Sequence, residues 1–160
     1  IFLFLSIEPT DSLKSLVFTI SLLRYLYAYY QNCHWQVSGA NFYSAHKLFE
    51  DLYIGVSEDV DDIAEQTIGV FDKSLLNFST QIESMGKIHQ KFYSTNEDYY
   101  VAFLKKGAQL EIELQKLLDV TKELLIQEKK ITSGLDDLLM GLGANSEHRS
   151  YHLKQSFSSL

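Results

Sequence analysis

The sequence predicts an all-α protein: a four-helix bundle with a short helix inside a long middle connection. Three observations lead there. Four stretches of the 160 residues repeat apolar side chains at the 3.6-residue period of a helix. The one proline, Pro9, precedes all four, so no proline breaks a long helix from within. No β-type alternation, internal repeat or low-complexity tract competes with that reading.

The first helix is capped by Thr10 or Asp11 and runs to about Val37, with Leu13, Leu16, Val17, Ile20, Leu23 and Tyr27 on its apolar stripe. Ser38-Gly39-Ala40-Asn41 reads as a turn. The second helix extends from about Phe42 to Ile68 with Leu48, Leu52, Val56, Val60 and Ile63 on one side, and Gly69 is expected to end it. Between Val70 and Tyr93 the period weakens, and a short helix near Ser79–Lys87 is expected. Ser94-Thr95-Asn96 with Glu97 and Asp98 looks like the start of the third long helix, whose stripe is Phe103, Leu110, Leu114, Leu117, Thr121 and Leu124. Thr132 or Ser133 caps a fourth that reaches about Phe157. Gly141 and Gly143 interrupt its propensity at ~1 kcal/mol each relative to alanine. The four helices make one domain over residues 1–160.

Composition narrows the function classes. Apolar residues are 46% and charged residues 22%, ordinary for a water-soluble globular chain. A net charge of -7 disfavours nucleic acid and anionic membrane and concentrates cations. Cys33 is the only cysteine, which excludes an internal disulfide and fits a reducing compartment. Ile1-Phe2-Leu3-Phe4-Leu5 is too short for a signal or membrane segment, and a start without methionine implies a longer parent chain. The expected location is cytoplasmic.

Four residues of the second helix carry metal-ligand chemistry. His46 and Glu50 are i, i+4, and so are Asp61 and Glu65, and all four lie within one arc of roughly 100°. Imidazole with several carboxylates suits iron, zinc or manganese. Glu50 and Asp61, however, are separated by about 16 Å of helix, while ligand bonds are about 2 Å. One helix cannot bring both pairs to one ion; two antiparallel copies related by a two-fold axis can. The axis would pass near positions 55–56, where Gly55 permits close approach. Folding the first two helices into a hairpin sets His34 level with His46. Each half-site then comprises His34, His46 and Glu50 of one chain with Asp61 and Glu65 of the other. The same spacing also describes a solvated acidic face, and Glu58, Asp59 and Asp62 are read as one. The geometry alone leaves both readings open.

The run His34-Trp35-Gln36-Val37-Ser38-Gly39-Ala40-Asn41-Phe42, followed by His46, Glu50, Asp61 and Glu65, closely resembles the signature of the Dps family, the mini-ferritins of the ferritin-like superfamily. Asp137 and Glu147-His148-Arg149-Ser150-Tyr151-His152-Leu153-Lys154 continue the likeness more faintly; Val70–Tyr93 matches only by helix order. The resemblance implies a ferritin-like bundle assembled as a hollow homo-dodecamer for iron storage and protection against oxidative stress. It also implies ferroxidase sites of two irons at the two-folds, where Fe(II) is oxidised, preferentially by hydrogen peroxide, and a ferric oxide mineral core inside. It assigns His34, His46, Glu50, Asp61 and Glu65 as both catalytic and metal-binding, with Glu65 a bridge between irons. Trp35 would lie beside the site, and Asp137 would line the pores through which iron enters, although a first-turn helix acid explains it equally.

Two departures stand out: Glu50 where aspartate is frequent in the family, and Tyr151 where tryptophan is usual. The lysine-rich tails with which many relatives bind DNA are absent from this sequence, so DNA binding is not expected. The rival readings are a structural or DNA-protecting shell with little ferroxidase activity, and a virion or scaffold component. His148 and His152, also i, i+4, read as an exposed polar helix end that could take a metal. Cys33 reads as a small buried thiol rather than a nucleophile. A full-length ferritin site inside one bundle needs Glu-x-x-His, which this chain lacks.

Overall fold

The computed structural model describes residues 11–92 and 100–157. Asp11 begins the first helix, its carboxylate accepting from the Lys14 N–H, and α1 runs Ser12–Gln36. Thr10, the other expected cap, and the segment 94–98 lie outside the described residues. At the turn, Gly39 takes φ 85, a left-handed conformation in which a Cβ is strained. The helix α2 spans Phe42–Val70 and passes straight through Gly69, contrary to expectation. Gly69 is exposed, with open space around its Cα, so the helix loses only propensity there, and Phe71 caps it instead.

A single 3₁₀ turn, Lys73–Leu75, leads to α3, Phe78–Phe92, which is longer than the expected Ser79–Lys87. The helix α4 is Tyr100–Gln127. It ends in a Schellman motif: the N–H groups of Lys129 and Lys130 return to the carbonyls of Ile126 and Leu125, with Lys129 at φ 55. Lys129-Lys130 is therefore a chain reversal. Thr132 accepts from the Leu135 N–H and opens α5, Ser133–Phe157, which is continuous through Gly141 and Gly143.

Side-chain contacts fix the helix directions. The start of α1 meets the end of α4 through Ser12 and Glu128, and its later turns meet earlier turns of α4 through Tyr30 and Glu111. These helices are antiparallel, as are α2 with α5 and α4 with α5. Consequently α2 finishes at the end opposite the start of α4. The connection must cover the length of the bundle, and along it α3 packs against the middle of α1, Gln81 meeting Arg24 and His89 meeting Tyr25. All the described secondary structure is helical.

The core draws Leu16, Ile20, Leu23, Leu26 and Tyr30 from α1, Phe49, Leu52, Val56 and Ile63 from α2, Leu110, Leu114 and Leu118 from α4, and Leu139, Leu142 and Leu153 from α5. The stripe of α2 is rotated from the expected one, because Phe49 rather than Leu48 is fully buried. On α4, Leu125 rather than Leu124 takes the innermost place. Gly107 sits in a tight helix contact, where an added Cβ would lie 3.0 Å from the Tyr30 ring and 3.3 Å from Leu153.

Candidate metal centre

The α1–α2 turn brings His34 and His46 face to face, their ring centroids 3.6 Å apart. His34 Nδ1 lies 2.8 Å from the His46 carbonyl, and His46 Nδ1 lies 2.9 Å from the His34 carbonyl. A carbonyl oxygen can only accept, so in both rings Nδ1 carries the proton and donates. That fixes the neutral tautomer and leaves both Nε2 lone pairs available, the arrangement a metal-binding imidazole needs. The His34 carbonyl belongs to the last turn of α1, where helix carbonyls lack intrahelical donors, so the histidine pair also closes the helix end. Tyr53 meets His34 edge-on at 5.4 Å, and Phe42 leans on His46 at 5.0 Å, so both rings are held on further sides.

Glu50 stands one turn beyond His46, but its carboxylate is bound by Lys47 at 2.8 Å, and Lys47 also reaches Asp51 at 3.0 Å. The Lys47 hydrogen bond and charge, then His34 and His46, hold the Glu50 carboxyl below its usual range. Asp61 and Glu65 lie further along α2, both exposed. Among the described residues of one chain, no three histidine, cysteine, aspartate or glutamate side chains converge as a metal cluster. Two of the five expected ligands are thus in contact, a third is adjacent and held by a lysine, and two stand apart on the same helix. Between the pairs lies Ile54, 46% exposed, an apolar residue on the same face, beside Gly55, which has open space about it.

Of the other residues singled out in the sequence, Trp35 is 66% exposed next to the histidines. Asp137 is exposed just past the first turn of α5, whose one acid, Asp136, pairs with Lys122 at 2.6 Å. Cys33 is fully buried, and burial pushes its thiol up to about 12, so it carries no thiolate near neutrality.

Asp59 corrects the sequence reading. It is 2% exposed and sits in a buried network instead of on a solvated face. Arg149 Nη1 donates to Asp59 at 2.6 Å and Arg149 Nε donates to Glu111 at 2.8 Å. Asn145 donates to Asp59, and Tyr30 and Ser146 donate to Glu111. All four long helices contribute. Burial works against the guanidinium charge, yet Glu111 and Asp59 outweigh it and its pKa rises; burial and then Glu111 raise that of Tyr30. The signal lay in α2's own period: Asp59 falls at the buried interval between Val56 and Ile63. The Lys47 pairing was legible too, as an i, i+3 charge pair.

The profile of the Ferritin-like domain matches residues 13–69, which span α1, the histidine turn and nearly all of α2. DNA protection during starvation protein 2 of Bacillus anthracis is 26% identical over 129 residues, covering 81% of this chain and 84% of that protein. These matches support the Dps family. The solved structure of a Listeria innocua Dps mutant superposes with a TM-score of 0.76 at 18% identity, over 93% of this chain and 94% of that one. Dps from Microbacterium arborescens in the high iron form gives 0.71 at 15% identity, over 95% and 97%. The two structures establish the ferritin-like four-helix bundle. The likeness to this family supports a broad role: iron binding as a mini-ferritin, or protection of DNA.

Proposed function

We propose that this Dps-family chain is a ferroxidase that oxidises Fe(II) at sites completed by two subunits and stores the ferric product inside a homo-dodecameric shell. The observation that carries it is the reciprocal His34–His46 pair. Two imidazoles hold their protons inward and free their Nε2 atoms at the turn preceding Glu50, on the helix that carries Asp61 and Glu65. Antiparallel pairing of α2 across the exposed Ile54–Gly55 stretch brings the acids of one subunit to the histidines of the other. Asp61 and Glu65 supply hard anionic oxygens that favour the ferric product. His34 and His46 supply neutral nitrogens, and Glu50 joins them once Lys47 releases it. Two ferrous ions each give up one electron to one peroxide, whose O–O bond breaks and takes up two protons to leave two waters. The ferric product then passes to a mineral core, and Asp137 is proposed to line the pore by which iron enters.

No helix among the described residues is long and apolar enough to cross a membrane, and the single buried thiol suits the reducing cytoplasm. The second reading, a DNA-protecting shell with little oxidation, draws on the printed name of the Bacillus anthracis relative. The test is anaerobic Fe(II) titration followed by peroxide, recording iron bound and oxidised per subunit. Asp61→Asn with Glu65→Gln should abolish fast oxidation while the shell persists. Mixed shells of that variant with His34→Ala/His46→Ala subunits should regain part of it. Fast oxidation by a monomer, or none regained in verified mixed shells, refutes the shared site.

A further inference from the structure

The helix α5 contributes no ligand to the proposed two-subunit centre, yet it carries a second pair of nitrogen donors. His148 and His152 are both exposed, one turn apart, and share a hydrogen bond between Nε2 atoms 3.0 Å from each other, whose proton a bound cation would replace by shifting the donor ring to its Nδ1–H tautomer. Their ring centroids are 4.5 Å apart at an interplanar angle of 86°. A cation bonded to both nitrogens at about 2.05 Å would subtend about 94° between them. That is close to the cis angle of octahedral or tetragonal coordination, and narrower than a tetrahedral site prefers.

The pair is also held in place. On the same two turns Ser146, Arg149, Ser150 and Leu153 are buried, and Asp59 and Glu111 clamp Arg149. The helix cannot roll, so positions 148 and 152 stay outward. Tyr151 packs its ring against His152 at 5.4 Å, which limits that side chain's rotamers. The arrangement is therefore ordered before a cation arrives, which lowers the ordering cost of binding. Arg149 presents no uncompensated charge to the site, because its partners are two carboxylates. The chain as a whole is negative by -7.

We propose that His148 and His152 form a chelating site for a late first-row divalent cation, Cu(II) or Ni(II), with water filling the other positions. Two neutral imidazoles discriminate along the order Fe(II) < Ni(II) < Cu(II), whereas the α2 centre is rich in hard oxygens. The two sites sort metals by donor type, and the α5 site leaves Fe(II) to the other.

The experiment titrates the metal-free, full-length assembled protein with Cu(II) and with Ni(II), by calorimetry and by Cu(II) paramagnetic resonance. His148→Ala, His152→Ala, their double variant and His34→Ala/His46→Ala are compared with wild type. Each single α5 variant should weaken one Cu(II) site by at least roughly tenfold, because the second arm of a chelate acts at high effective concentration. The α5 double variant should show no two-nitrogen Cu(II) spectrum, and the His34/His46 variant should keep it. Both α5 side chains are exposed, so shell size and helicity should not change. Three results would overturn the proposal: unchanged Cu(II) affinity in either single α5 variant, loss of the site only in the His34/His46 variant, or Fe(II) binding there as tightly as Cu(II).

Discussion

Replacing Arg149 with methionine should be among the most damaging single changes in the bundle. Methionine keeps much of the apolar stem and removes the cation, which stands 2.6 Å from Asp59 and 2.8 Å from Glu111. Both acids are sealed in, at 2% and 0% exposure. Asp59 would keep one donor, Asn145, and Glu111 would keep Tyr30 and Ser146. Breaking a buried pair from one side costs about 3–5 kcal/mol. Protonating an ordinary carboxyl with a pKa near 4 at pH 7 costs about 4 kcal/mol, which caps the loss for each orphaned acid that relaxes this way. A loss of about 4 kcal/mol, with a urea m-value near 2 kcal/mol/M, lowers the midpoint by roughly 2 M. The assay is urea unfolding followed by far-ultraviolet circular dichroism at fixed protein concentration, since assembly adds to stability. The pH dependence carries a sign of its own. Orphaned acids have folded-state pKa values above their unfolded ones, so the variant's deficit should shrink as pH falls from 7 towards 5. Adding Asp59→Asn and Glu111→Gln should restore most of the loss. A midpoint within about 0.3 M of wild type for Arg149→Met, or a triple variant as unstable as the single one, would refute the reasoning.

Gly107→Ala should destabilise by about 1–3 kcal/mol in the same unfolding assay, because its Cβ would press on Tyr30, which Glu111 holds. Lys129→Gly should stabilise by up to about 1 kcal/mol, since Lys129 sits at φ 55 and glycine relieves that strain; a lower midpoint would contradict the Schellman assignment. The Lys130 hydrogen bond, then those of Ser12, holds Glu128 down to about 2. Its stabilising contribution is therefore full above the ordinary glutamate range and fades as pH falls towards 2, so the deficit of Glu128→Gln should be present at pH 7 and vanish in acid. Lys47→Ala frees Glu50 from its 2.8 Å partner, and Fe(II) binding per subunit should tighten in anaerobic titration if the lysine competes with the metal. Duplex DNA should not shift in a gel at about 150 mM salt with chelator, because this chain of net charge -7 offers phosphates little to pair with.

Helix order was legible because period and capping are local. The pattern from Leu13 to Tyr27 and the Asp11 cap each need only neighbouring residues, and α1 begins as they require. What failed were signals whose meaning depends on partners elsewhere. Gly69 is a helix terminator only where the chain must reverse, and there the helix simply continues for another residue. Lys129 adopts a conformation usually reserved for glycine, because the packing of α4 against α5 fixes where the chain must turn. Nothing in its own side chain announces that. The stripe of α2 was misplaced because Leu48 and Phe49 are both apolar and adjacent. Only the direction of α1, which packs Tyr30 against Phe49 at 6.2 Å, decides between them.

The histidine centre divides along the same line. Spacing about the turn placed His34 opposite His46, and the two rings do stack. Their tautomers were not legible, since each depends on a carbonyl that only the folded turn brings to the other ring. Those carbonyls decide the chemistry: if Nδ1 accepted no such role, the proton could sit on Nε2 and block a metal. Asp59 shows the converse. Glu58, Asp59 and Asp62 look alike in sequence, yet the helix turns Glu58 and Asp62 to solvent and Asp59 inward. A buried aspartate is tolerable only with a buried cation, and Arg149 lies 90 residues away in the chain. Charge count therefore cannot separate ligands from lining on α2. The side chain's place in the helical period can, and it keeps His46, Glu50, Asp61 and Glu65 off the buried stripe that takes Asp59.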